Sequence, residues 1–395
     1  MKKPNLILAI ILLATMTGCG RKQLSDIIIT VDVTKSYPEK RLILQDFMDV
    51  EYIALETTDE FVTQGLVADI GKKNILVTNR NRDGTIFIFD RTGKSLRKIN
   101  RMGRGPEEYS PAHSIVLDED NNEIFVHDIS LKKIIAYDLN GKYQRSFTYN
   151  NDDEVLRYSA IHNYDQNHLI CYDATGDLFE ERSFYHVIIS KQDGSIIRKI
   201  QLPFKEKKTT MARIQDGEMV ITSLVPFQST LSYQGQWILT QPSSDTIYKY
   251  LPDNRVIPFI VRIPSIISMN PEVFLYPELI TEHYYFMRTS EKVGKIDNGN
   301  VLPFPQTYLM YDRQEKALFR YNVYNGDFLN ERKVSINAGP VNNEIAACRT
   351  LGADQLVDSY KKNEIKEGKL KELVAKLEKE DNPVIMLIKY KGNNL

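Results

Sequence analysis

The sequence predicts an all-β fold, a six-bladed β-propeller with a helical hairpin inserted before its ring-closing strand. Three observations carry that prediction: a repeated unit, β runs that are apolar on both faces, and two terminal β runs that lack a repeat partner. Residues 74–99 read NILVTNRNRDGTIFIFDRTGKSLRKI and residues 123–147 read EIFVHDISLKKIIAYDLNGKYQRSF, with the turn glycines Gly93 and Gly141 spaced 48 apart (141 − 93). A third copy runs from HLICYD at His168, through a longer insertion, to FYHVIISKQDGSIIRKI over residues 184–200. Each unit has a short β run, a loop, a second run, a tight polar turn with glycine, and a third run.

Within a unit, alternation argues for strands. In TIFIFD, Ile86 and Ile88 point one way and Phe87 and Phe89 the other, so both faces are apolar. Such a strand must lie between two sheets, as a propeller blade lies between its neighbours. The segments Asp90-Arg91-Thr92-Gly93 and Asp138-Leu139-Asn140-Gly141 read as hairpin turns, because aspartate accepts from backbone amides ahead of it and glycine takes positive φ without steric cost.

Degenerate copies follow at residues 237–264 and 284–326. The sixth unit must be composite: DVEYIALET (49–57) and PVIMLIKYK (383–391) have no repeat partners, and pairing them closes a ring without free sheet edges. About 300 residues at roughly 50 per blade gives six blades, within the range propellers use. Before the closing strand, Leu370, Leu373, Val374 and Leu377 recur at helical spacing, with a shorter stripe at Leu356, Val357 and Tyr360; Gly368 separates the two and Asn382-Pro383 ends the second.

At the N-terminus, Lys2 and Lys3 precede an apolar run from Leu6 to Ala14, too short for the roughly 20 residues of a spanning helix and therefore read as a secretory signal. Thr17-Gly18-Cys19 resembles the lipobox of bacterial lipoproteins, which implies acylation of Cys19 and anchoring to a membrane without spanning it. Gly20 in place of an aspartate, followed by Arg21-Lys22-Gln23 without acidic residues, implies by the same resemblance an outer-membrane lipoprotein facing the periplasm. The organisation read from this is a signal peptide at 1–18, an anchor and linker at 19–40, and a propeller at 41–395, of which 340–382 is mostly helical insertion and 383–391 the closing strand. Cleavage leaves 377 residues (395 − 18) with 49 basic and 52 acidic side chains, no nucleic-acid signature. With Cys19 acylated, only Cys171 and Cys348 remain as thiols, so no disulfide framework is implied, with one bridge between them left open.

Residues 103–142, GRGPEEYSPAHSIVLDEDNNEIFVHDISLKKIIAYDLNGK, resemble an NHL-type propeller repeat. The chain as a whole resembles a family of six-bladed β-propeller lipoproteins of Gram-negative bacteria that carries a Gly-x-Gly-Pro-x-Glu-Tyr segment after its first blade, here Gly103, Gly105, Pro106, Glu108 and Tyr109. The matches extend to VEYIALET, SDTIYKYL and EDNPVIMLIKYK. The resemblance implies the fold and the envelope location; it implies no defined biochemical role.

The stretch KINRMGRGPEEYSP (98–111) raises a chemical question, since glycines beside arginines can cradle phosphate. Here Glu108 stands where a dinucleotide fingerprint needs its third glycine, and no Gly-Lys-Ser/Thr is present. The stretch therefore reads as a blade junction, in which Gly103 and Gly105 turn the chain, Pro106 stiffens it and Tyr109 packs between blades. The six histidines form no HxH or HxxxH pair and there is no Gly-x-Ser-x-Gly elbow, so no metal motif, cofactor or nucleophile is evident. A propeller can still gather ligands one per blade, which leaves a divalent cation on its axis open. Arg101, Arg104, His113 and His127 are the candidate ligand-rim residues, with His127 and Asp128 reading first as strand-end residues that cap a loop. The expected function is a lipid-anchored envelope binding or scaffold module for a peptide, glycan or protein partner. The alternative is a propeller hydrolase or lyase with an axial carboxylate, histidine or metal site.

Overall fold

The computed structural model describes residues 28–149, 156–175, 185–336 and 342–392; Cys19 and the signal segment lie outside these. Six blades surround one axis. The first three are regular four-stranded antiparallel sheets. Blade one comprises Leu66–Ile70, Asn74–Thr78, Thr85–Asp90 and Ser95–Asn100; blade two, Ser114–Asp118, Glu123–Asp128, Lys133–Asp138 and Tyr143–Thr148; blade three, Tyr158–Asn163, His168–Asp173, His186–Ser190 and Ile196–Ile200, each from the axis outward.

The two-faced apolar strand behaves as its pattern requires. Ile86 and Ile88 pack into the core between blades one and two, and Phe87 and Phe89 into the core between blades one and six. At the tight turns, Asp90 accepts from the Thr92 and Lys94 amides at 2.8 and 3.1 Å, and Asp138 from the Asn140 and Lys142 amides at 2.8 and 2.9 Å. Gly93 and Gly141 take φ of +90° and +79°. A side chain there would also collide with the preceding blade's outer strand: a Cβ on Gly141 would lie 2.9 Å from Ile99, and one on Gly93 2.0 Å from the Ala54 carbonyl. The turn of each blade thus seats against the blade before it.

Blade four (Thr230–Tyr233, Gln236–Leu239, Thr246–Tyr250, Val256–Ile263) and blade five (Val273–Ile280, Tyr284–Glu291, Gln306–Asp312, Ala317–Asn325) begin earlier than the repeats read from sequence, each with an innermost strand outside the repeat as read; that of blade four turns into its second strand at Gly235, with φ of +72°. Each also has a fifth strand. Ile29–Asp32 adds parallel to the outer edge of blade four, and Glu39–Ile43 parallel to that of blade five. The stretch expected as linker at 19–40 therefore includes strand from Ile29 onward, and it straps two blades before entering the ring.

Blade six is composite, as the unpaired end segments predict. Met48–Ala54 pairs antiparallel with Val384–Tyr390, which pairs with Ile345–Leu351. The insertion expected to be helical over 340–382 thus opens on a strand, followed by helices Ala353–Lys361 and Lys369–Val374. These bury Leu356, Val357, Leu370 and Val374 against Phe328 and Val384. Orientation distinguishes this blade. The innermost strands of blades one and two run parallel, Asp69 beside Leu117, whereas Ile345–Leu351 runs opposite to blade one's inner strand, with Thr350 bonded to the Gly65 carbonyl and Asn342 to that of Ile70. Its three strands therefore hold the second, third and fourth positions of a blade.

Candidate ligand cavity on the ring axis

The innermost strands enclose a cavity of about 1150 Å³, to which blades one, two, three, four and six contribute. The contributions are unequal: blade one lines it with its inner strand and with the loop from Asn79 to Gly84, blade two with the segment around its inner strand, and the other blades with fewer residues. Asp69 from blade one, His113 from blade two, His162 from blade three, Ser232 and Trp237 from blade four and Cys348 from blade six are among the lining residues.

Asp69 is the most perturbed group on this wall. Burial pushes its carboxyl up to about 7; the Leu117 and Ile70 amides, donating at 2.7 and 2.8 Å, oppose that shift, and the nearby Glu119 charge adds to it. The two oxygens each accept one backbone bond, and the first of these ties the inner strands of blades one and two. Burial likewise raises the Cys348 thiol to about 11, with the Asp69 charge adding and Arg349 opposing. Both cysteines are free thiols. His162 lies tilted against Trp237, 5.9 Å between ring centroids, and burial holds its imidazole down at about 4. Among the described residues no group of three or more His, Cys, Asp or Glu side chains is placed to hold a metal ion.

The four rim candidates separate. His113 lines the cavity, and its Nε2 lies 3.1 Å from the Ser159 carbonyl, a bond that requires the Nε2–H tautomer and ties blade two to blade three. His127 lies behind it, fully buried, its ring 5.5 Å from that of His113 and its Nε2 3.1 Å from the Tyr149 hydroxyl. Burial first, then the neighbouring His113, lowers it to about 4, so it is neutral at physiological pH. Arg101 and Arg104 do not line the cavity. Arg101 is exposed and donates to the Gly141 carbonyl at 3.2 Å, across to the turn of blade two.

Around these lies the junction 101–113. Tyr109 is fully buried, its hydroxyl donating to the Gly84 carbonyl at 2.7 Å and its ring edge-on to Tyr137. Glycine at 103 and 105 answers a different need from the expected change of direction: neither has positive φ. A Cβ on Gly103 would lie 1.9 Å from the Glu108 carboxylate, which accepts from the Gly105 amide at 2.8 Å. Pro106 is exposed. Asp128 caps its loop as its place predicts, taking the Ser130 and Leu131 amides together with the Ser110 amide and hydroxyl.

Sequence reasoning missed Asp69. Its one signal is a lone carboxylate inside an otherwise apolar inner strand, LVADI.

Comparison with known proteins bears on the fold. No curated protein matches the chain. Among solved structures, the Bacteroides fragilis protein BF0058, described as a candidate exported protein, superposes with a TM-score of 0.59 at 16% identity, over 89% of this chain and 99% of its own. A DUF4221-family member from Bacteroides vulgatus gives 0.46 at 10% identity, over 72% and 92%. BamB from Moraxella catarrhalis gives 0.34 at 10%, over 85% and 87%. At 16% identity the likeness to the Bacteroides fragilis protein is one of fold. The family model described as 6-bladed beta-propeller, DUF5128, matches residues 20–325, most of the chain, and the protein belongs to that family.

Proposed function

We propose that the protein is a cell-envelope binding or scaffold propeller whose axial cavity holds a ligand, anchored by a lipid on Cys19 to the periplasmic face of the outer membrane. The observation that carries the binding reading is the cavity itself: about 1150 Å³ on the axis, with walls from five blades, larger than the several hundred Å³ typical of small-molecule sites. That volume suits a peptide segment, a short glycan or an inserted loop of a protein partner. The lining mixes charged, amide and aromatic groups, as orientation of such a ligand demands.

Anchoring rests on the lipobox resemblance. The strap begins on the outer edge of blade four, at Ile29, and the nine residues 20–28 reach at most about 30 Å when extended. An anchored propeller would therefore ride close to the bilayer by that rim. Cys19→Ala should move the protein from membrane to soluble fractions; unchanged membrane recovery contradicts the anchor.

One observation favours the hydrolase or lyase reading: a cavity-wall carboxylate, Asp69, that titrates near neutrality. Both of its oxygens are already bonded to backbone amides, which is why binding ranks first. Substituting Trp for Ser232 on the cavity wall tests the binding reading, since the indole intrudes into the cavity from a site outside these bonds. The obstructed variant should retain less of the envelope components that the native chain retains on purification.

A further inference from the structure

We propose that the hairpin Met211–Leu224 is a self-association edge, through which two copies of this chain pair strand to strand. The hairpin stands between blades three and four as a sheet of two strands, Met211–Asp216 and Met219–Leu224. Its inner face is anchored, with Ala212 and Ile214 buried against Ile266, Phe274 and Phe304. Its second strand is different. Among the described residues nothing pairs with its far side, and Met219, Val220 and Leu224 are 47%, 44% and 51% exposed. An uncovered apolar edge is the arrangement that folded proteins generally blunt with charge or proline.

The register shows what such an edge accepts. Val225 donates to the Thr210 carbonyl at 2.9 Å, continuing the pairing of 211 with 224 and 213 with 222. Bonded pairs alternate along an antiparallel ladder. The odd residues 219, 221 and 223 therefore bond inward, and the N–H and C=O groups of Val220, Thr222 and Leu224 point outward.

A second copy meets these groups antiparallel about a two-fold axis through Thr222. Val220 then faces Leu224 of the other copy at both ends, and Thr222 faces itself. The strand carries no charge from Met219 to Phe227, so no like charges oppose, and an isologous contact closes as a dimer. The strand's neutrality and this self-complementary register favour a second copy over a foreign peptide. A six-residue strand pair buries less than a standard interface of about 1,600 Å², the size class of transient contacts, so the dimer should exchange with monomer.

The test is sedimentation velocity on the full chain carrying Cys19→Ala, so that no acyl chain contributes, from low micromolar to about 200 µM. The expected result is a monomer–dimer equilibrium that Thr222→Pro weakens more than tenfold; the proline removes an outward N–H and no bond within the hairpin, so thermal unfolding should stay near that of the parent. Thr222→Cys should give a disulfide-linked dimer on oxidation, because a bonded antiparallel pair sets Cα atoms about 5.5 Å apart, within disulfide reach; Gln215→Cys, on the first strand, should not. A chain that stays monomeric throughout, including one that instead captures an extended peptide at this edge, overturns the proposal. So does a dimer that Thr222→Pro leaves intact.

Discussion

The junction between blades one and two and the seam at blade six join neighbouring blades by different means. At the junction the chain is continuous, and its parts lie within about thirty positions of one another: Tyr109 bonds Gly84, Glu108 seats in Gly103 and Gly105, and Asp128 gathers Ser110. At the seam, residues more than three hundred positions apart must meet. Asn382, which ends the helical insertion, accepts from the Thr63 amide at 2.8 Å, donates to the Glu56 and Phe61 carbonyls at 2.8 and 2.6 Å, and gives its own amide to Thr57 at 2.8 Å. On the other side of the strand, Lys389 pairs with Glu51 and Glu344, each at 3.2 Å. The junction is thus held by one buried aromatic anchor and a local cradle, and the seam by the pairing of Met48–Ala54 with Val384–Tyr390, to which Asn382 adds a polar bridge between both ends of the chain. Loop-closure entropy weighs on the seam alone, so it should be the first part of the ring to open.

The largest effect should come at the junction. Tyr109→Ala removes a fully buried ring and should cost about 3–5 kcal/mol, read as a lowered urea midpoint. Asn382→Ala should cost less, on the order of 2–4 kcal/mol for several buried bonds left unmade. Its signature should nevertheless be sharper: amide exchange in Met48–Ala54 and Val384–Tyr390 should quicken while that of Lys133–Asp138 stays protected. Equal acceleration in both regions would show that the ring opens as one unit.

The third prediction concerns pH. Asp69 has a folded pKa raised from its ordinary value to about 7, so the folded state holds a proton that the unfolded state gives up. Its contribution is therefore favourable at low pH and is lost as pH rises from about 4 to 7. His127, His162 and His186 are lowered to about 4, so their contribution is present above about 6.5 and is lost as pH falls toward 4. The two trends oppose, and Asp69→Asn should remove the Asp69 trend, changing the slope of stability between pH 5 and 7 by on the order of 1 kcal/mol per pH unit. An unchanged slope would place the Asp69 carboxyl at its ordinary pKa.

The smallest effect is expected from Gly103→Ala. The atom it displaces is the end of the flexible Glu108 side chain, so a rotation that forfeits the bond to the Gly105 amide should cost about 1 kcal/mol. A cost several times larger would mean that the cradle is rigid and the junction less tolerant than the seam.

The same contrast explains what could be read from sequence. Blades one to three were legible because a strand buried on both faces and a turn glycine seated on the previous blade leave a periodic trace in residues 74–200. The seam was legible by elimination, since its two strands lacked partners. The inner strands Thr230–Tyr233 and Val273–Ile280 were not: the repeat reads as starting at Trp237, past the Gln234-Gly235 turn that ends the first, and the turn that ends the second, Thr281 to His283, holds no glycine. The cavity lining escaped for a geometric reason: it is gathered from five blades whose segments lie far apart in the chain, so Asp69, His162 and Cys348 share no motif. His127 appeared as a rim candidate because a histidine at a strand end is read as accessible, and only the layer of His113 in front of it buries the ring.

The central claim is that the axial cavity is the binding site, and native mass spectrometry tests it most directly. The protein and its Ser232→Trp variant would be purified in parallel from cells, after matched thermal unfolding shows that both are folded. The account predicts bound peptide, glycan or protein species on the native chain that are lost or depleted on the obstructed variant. Identical bound species on both chains would contradict it.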